Sequence, residues 1–220
     1  MTQKHMTKKE LNEDPFFEEV AHIVDFFRKH QILLITIVVV LALAFAGFFG
    51  GKVLVKQQNE NASGYFGIAM DYYSKNQLLE AEDQFMLVAE QYKRNDWGKR
   101  SYYYLGLVSR GLMKSEEESL EYFETFVNSE LNDPALNASA YQLIGTYYYR
   151  NGDLLTAGEN YLNAAKNTLV KTEKINLSIR AGEAFIDAGN SKKLDSVVKY
   201  LSSLELNKVE RTRVDVLAMR

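Results

Sequence analysis

The sequence predicts an all-α protein: one N-terminal transmembrane helix, then a helical solenoid of about four helix pairs closed by a C-terminal capping helix. Three observations carry that prediction. Residues 31–51 hold no formal charge, and 32–49 are apolar except for Thr36. Beyond Asn61 there is one proline, Pro134, and all fourteen tyrosines fall in that region at helical rather than alternating intervals. Small residues recur there at Ala69, Gly106, Gly145 and Gly182, which are 37, 39 and 37 positions apart.

Composition excludes several function classes. The 220 residues include no cysteine, so neither a disulfide scaffold nor a thiolate metal site can form. His5, His22 and His30 all lie in the first thirty residues, which leaves the remainder without the parts of a Ser/His/Asp triad or a histidine metal site. With 26 Lys+Arg against 29 Asp+Glu and a formal charge of -3, the chain lacks the basic excess that nucleic-acid backbones demand. The expectation is therefore a protein without catalysis, cofactor, metal or nucleic acid.

Residues 1–30 form a tail with its own amphipathic helix. Asp14 precedes Pro15 as an N-cap precedes a first-turn proline, Glu18 and Glu19 suit the helix dipole, and Phe16, Val20, Ile23, Val24 and Phe27 recur at helical spacing. This helix lies on the cytoplasmic membrane surface, docks on another membrane protein, or merely extends the span that follows; the last reading is favoured. Residues 31–51 cover about 30 Å as a helix, the thickness of a bilayer core. A soluble core helix of that length would show a polar face, and this one shows none. A signal peptide is the next rival, through Ala44-Phe45-Ala46, but thirty preceding residues argue against it. Lys4, Lys8, Lys9, Arg28 and Lys29 precede the span, whereas only Lys52 and Lys56 follow it closely, so the tail is expected in the cytoplasm. The opposite topology is only mildly disfavoured. Residues 52–61 read as a linker.

Residues 62–220 carry the repeats. The best copy runs Tyr141, Ile144, Gly145, Tyr148, Gly152, Ala157, Tyr161, Ala164, and the first copy runs Tyr65, Ile68, Ala69, Tyr72, Ala81, Phe85. The second has Tyr102, Leu105, Gly106, then Ser109 in place of an aromatic, with Ser119 and Phe123. The fourth keeps Ala181, Gly182, Phe185 and Gly189, then Leu194 and Val198. This pattern resembles the tetratricopeptide repeat, with Tyr in place of its Trp. Turns are expected at Lys75-Asn76, Lys114-Ser115, Asn151-Gly152-Asp153 and Gly189-Asn190. Ser115 with Glu118 suggests a capping box, and Asp96 and Asp133 are expected N-caps. Residues 206–220 form the capping helix.

The resemblance implies a concave peptide groove lined at fixed offsets by Phe66, Met70 and Tyr73, then Tyr103, Leu107 and Arg110, then Gln142, Thr146 and Tyr149. Such a groove, aromatic and apolar at its start, suits extended or helical peptide segments. The alternative is that this aromatic stripe is core. The acidic run Glu116, Glu117, Glu118, Glu121, Glu124 reads as a solvated face, or as an attractor for a basic partner.

The layout as a whole is similar to the YfgM-like family of single-span periplasmic tetratricopeptide proteins. The similarity rests on the short tail, the Val20, Ile23, Val24, Phe26, Phe27 lead-in, the span, the Gly50-Gly51 exit and the repeats behind it. It implies a bacterial inner-membrane protein with its C-terminal domain in the periplasm, whose partners are Sec translocon subunits, envelope chaperones and exported polypeptides. The alternative is a scaffold or assembly factor of another membrane complex with one fixed partner.

Overall fold

The computed structural model describes residues 15–220, so Asp14 and the basic residues before it lie outside the described part. Among the described residues every regular element is α-helical, and ten helices follow one another: α1 Pro15–Lys29, α2 Gln31–Ser74, α3 Leu78–Gln91, α4 Asp96–Gly111, α5 Glu116–Asn128, α6 Pro134–Arg150, α7 Leu154–Asn167, α8 Lys171–Asp187, α9 Ser191–Ser202 and α10 Lys208–Ala218. The chain divides between Gln57 and Gln58 into two compact units.

In the first unit, α1 runs into α2 with only His30 between them. The His30 N–H donates to the Phe26 carbonyl at 3.0 Å, and the Leu34 N–H donates to the His30 carbonyl at 2.9 Å, so the hydrogen-bond ladder continues across the junction. The tail helix thus extends the apolar helix rather than leaving it. Along 31–49 the large apolar side chains face outward, and none of the most apolar window is buried within the protein. Thr36, the one polar residue there, donates its hydroxyl to the Ile32 carbonyl at 2.8 Å, which leaves no unsatisfied proton on an apolar surface. Residues 52–61, the expected linker, are helical as part of α2. Their Lys, Gln and Glu residues favour helix, and after Gly51 no glycine or proline breaks the run until Gly64.

The second unit pairs the end of α2 with α3, α4 with α5, α6 with α7, and α8 with α9, and α10 closes the array. Each pair crosses where its first helix carries a small residue. Ala69 faces a cluster that includes Ala81 and Phe85. A Cβ at Gly106 would stand 2.7 Å from the Phe123 ring, and one at Gly145 would stand 2.9 Å from the Tyr161 ring. Gly182 differs, because Leu217 of α10 fills its notch; a Cβ there would be 2.7 Å from that side chain. In the fourth pair Val197 and Leu201, rather than the expected Leu194 and Val198, are the fully buried residues of the second helix. Ser119 stands where the pattern wants alanine, and it is tolerated because its buried hydroxyl donates to the Gly106 carbonyl at 2.9 Å.

Caps mark the turns. Asp133 accepts from the Leu136 N–H with Pro134 in the first turn, Asp153 from Thr156 and Asn190 from Lys193. The N-cap of α4 is Asn95, not Asp96; it accepts from the Trp97 N–H at 2.9 Å. Ser115 caps the Glu118 N–H, but the Glu118 carboxylate turns to Lys114 instead of completing a capping box. The reciprocal box occurs at Asn207 and Glu210. Gly152 and Gly189 supply the positive φ that ends α6 and α8.

Two glycines outside the repeat signature separate close packing from helix propensity. A Cβ at Gly98 would lie 2.1 Å from the Tyr92 carbonyl oxygen, a backbone atom that cannot swing away, whereas Gly64 in α2 has nothing within 4 Å. Gly98→Ala is expected to cost about 2 kcal/mol or more, while Gly64→Ala gains about 0.5–1 kcal/mol through helix propensity. Urea unfolding of the full chain in detergent micelles, followed by circular dichroism, compares the two.

Candidate protein-interaction site

The nine expected groove positions divide into two sets. Phe66 is buried, with its ring centroid 5.5 Å from Phe85, 5.1 Å from Trp97 and 5.5 Å from Tyr104. Met70 packs on the same cluster, and Tyr73 meets Tyr104 at 5.9 Å. Tyr103 is buried against Phe126 at 5.6 Å, and its hydroxyl pairs with that of Ser139 at 2.8 Å; Leu107 packs beside it. Phe66 and Tyr103 are core residues, and Met70, Tyr73 and Leu107 are half-buried beside them. Their rings pack against the second helix of the same repeat and the first helix of the next.

The other four lie on α4 and α6, with Thr146 and Tyr149 within reach of polar groups of α8. Arg110 is exposed at the rim of a shallow cavity of about 50 Å³, lined also by Leu120, Leu143, Thr146, Tyr147 and Arg150. The Thr146 hydroxyl donates to the Gln142 carbonyl at 2.8 Å and lies 3.3 Å from both the Arg180 guanidinium and the Tyr161 hydroxyl. Arg180 sits 4.3 Å from the Tyr161 ring centroid and donates to its oxygen at 2.9 Å, which gives the third helix pair a fixed cationic edge. Tyr149 donates to the Asp187 carboxylate at 2.5 Å. The surface thus offers guanidinium and hydroxyl groups, which suit the main chain and polar side chains of an extended segment better than an apolar helix face.

Sequence reasoning missed Arg180, Tyr147, Arg150 and Asp187, whose roles come from neighbouring repeats. A signal for such links existed: Lys114 bonds Glu82, Arg150 bonds Glu116 and Lys193 bonds Glu159, opposite charges set 32, 34 and 34 residues apart. The acidic run of α5 is engaged partly between repeats and partly locally. Glu116 pairs with Arg150, Glu118 with Lys114, and Glu124 accepts from the Tyr148 hydroxyl at 2.9 Å. The run therefore ties repeats together more than it presents a free acidic face. Arg150–Glu116 and Lys193–Glu159 are solvent-exposed and individually weak, so they set register more than they add stability.

Comparisons with known proteins agree with a tetratricopeptide-type repeat. No protein-family profile matches the chain. The chain is 28% identical over 119 residues to the TPR repeat-containing protein MJ1428 of Methanocaldococcus jannaschii, a match that covers 51% of this chain and 20% of that protein. The chain spans only about one fifth of that relative's length. Among solved structures, BtubC from P. vanneervenii aligns with a TM-score of 0.47 at 18% identity over 66% of each chain. Pseudomonas aeruginosa PilF aligns with a TM-score of 0.49 at 20% identity, over 80% of this chain and 78% of that one.

The tyrosine–carboxylate links predict an alkaline signature. The hydrogen bond to Asp187, followed by desolvation, raises the Tyr149 pKa above its ordinary value, and the bond to Glu124 does the same for Tyr148. Because the folded pKa is the higher one, each link contributes in full below the ordinary tyrosine value of about 10 and is lost as pH rises through the folded value. Asp187→Asn is expected to move one late-ionising tyrosine toward the ordinary range in a 295 nm absorbance titration of the native protein. An unchanged titration curve would remove the Tyr149–Asp187 link from the account.

Proposed function

We propose that this protein is a membrane-anchored tetratricopeptide-repeat interaction module of the bacterial cell envelope. It holds its repeats at the periplasmic face of the inner membrane, beside the Sec translocon, where they contact exported polypeptides and envelope chaperones. The observation that carries the reading is the outward apolar surface of α2 between residues 31 and 49. A soluble protein would have to bury those side chains, and none of the most apolar window is buried here. The basic bias of the tail supports a cytoplasmic N-terminus. Tethering raises the local concentration of the repeats at the membrane, so weak polar contacts along Arg110, Thr146 and Tyr149 suffice to engage passing chains. The similarity to the YfgM-like family points to the same partners.

Photo-crosslinking in intact cells tests the proposal, with probes at Arg110 and Tyr149 on the repeat surface and at Val38 in the apolar helix. The expected result is capture of translocon subunits by Val38 and of many unrelated exported chains by the two surface probes. One stoichiometric partner at every probe would instead mark a dedicated scaffold. Adducts with cytosolic proteins at Tyr149 would reverse the orientation.

A further inference from the structure

The fourth repeat departs from the others at its first signature position. Tyr65, Tyr102 and Tyr141 begin the first three copies, and the corresponding residue of the fourth, four before Gly182, is Ser178. Where a tyrosine occupies this position between two repeats, it packs: Tyr102 lies against the clusters of the first and second repeats, and Tyr141 against the last. With serine there, the ring is missing. At that place a cavity of about 230 Å³ opens between α7, α8 and α9, with an almost wholly apolar wall. Its inner side is Leu162, Ala165, Val197 and Ser178, and the exposed Lys166 and Tyr200 stand at its mouth.

Ser178 itself is fully buried, and its hydroxyl has no hydrogen-bond partner. An apolar void of this size forfeits contact energy along its wall, and a ring of tyrosine size entering from outside restores it.

We infer that this cavity is a binding site for a phenol-type aromatic group, the tyrosine side chain of a partner protein inserted where the repeat's own tyrosine is absent. Leu162, Ala165 and Val197 enclose the ring faces, and Lys166 and Tyr200 at the mouth meet the polar backbone on either side of the inserted residue.

The test uses the full chain in detergent micelles, with labelled Leu and Val methyl groups, titrated with p-cresol as the tyrosine side-chain analogue. The Leu162 and Val197 methyl resonances are expected to shift and saturate, with a dissociation constant on the order of 1 mM for so small a ligand. Ser178→Tyr fills the cavity from within; it is expected to abolish the saturable shift and raise the thermal midpoint. Ser178→Ala keeps the cavity and its apolar wall, and is expected to leave the saturable shift in place. Absence of shifts at both methyls in the unsubstituted protein, with Tyr200 folding inward to close the cavity, would overturn the inference. Equal binding by Ser178→Tyr would overturn it as well.

Discussion

An aromatic ring pressed onto a glycine is the contact on which the rest of the repeat unit depends. Phe123 over Gly106 and Tyr161 over Gly145 bring the two helices of a pair closer than any side chain at those glycines would allow. The same device operates between repeats, where a Cβ at Gly158 of α7 would meet the Phe185 ring of α8 at 2.3 Å. Interiors packed at crystal-like density give little room to absorb a methyl group, so the crossing point and angle of each pair are fixed where the notch is. The stacking of one pair on the next then follows. Polar links between repeats at separations of 30 to 38 residues, from Tyr147 with Glu117 to Tyr149 with Asp187, become possible because each pair presents its surface in the same frame.

This packing decides where binding can occur. Aromatic residues in the first two repeats pack between neighbouring helices, with Phe85 of α3 and Tyr104 of α4 stacked at 5.2 Å. The open surface is the polar one around Arg110, Thr146, Tyr149 and Arg180. A recognition surface of this kind reads backbone and polar groups, which every extended polypeptide carries, and it matches the proposed engagement of many different exported chains better than a single apolar anchor would. The fourth repeat is the exception. Its lost tyrosine exchanges internal packing for a cavity, and its glycine notch is filled by the capping helix, so the last pair departs furthest from the pattern of the rest.

Much of this was legible in the sequence. The spacing of Ala69, Gly106, Gly145 and Gly182 exposes the repeats because a close crossing admits only small residues, and that demand overrides everything else at the position. The uncharged stretch 31–51 is equally legible, since a membrane-length apolar run needs no tertiary context to be seen. What sequence could not settle was the direction in which an aromatic faces. Phe66 and Tyr103 occupy offsets that point toward a groove in one arrangement of neighbouring helices and into a seam in another, and helical periodicity is the same in both. That the segment 52–61 is helical was hidden for a related reason: Gln and Glu suit a solvated coil and an exposed helix alike. Ser178 could have been noticed as the one weak start among four, but only packing shows that the space it leaves remains open.

A double-mutant cycle on Gly106 and Phe123, read as urea unfolding free energies of the full chain in micelles, tests the ring-on-glycine constraint most directly. If the notch fixes the pair, Gly106→Ala destabilises strongly on its own and much less when Phe123→Leu has already shortened the opposing ring, with a coupling of about 1 kcal/mol or more. Additivity of the two substitutions within about 0.5 kcal/mol would mean that the crossing is set elsewhere, and would contradict the account.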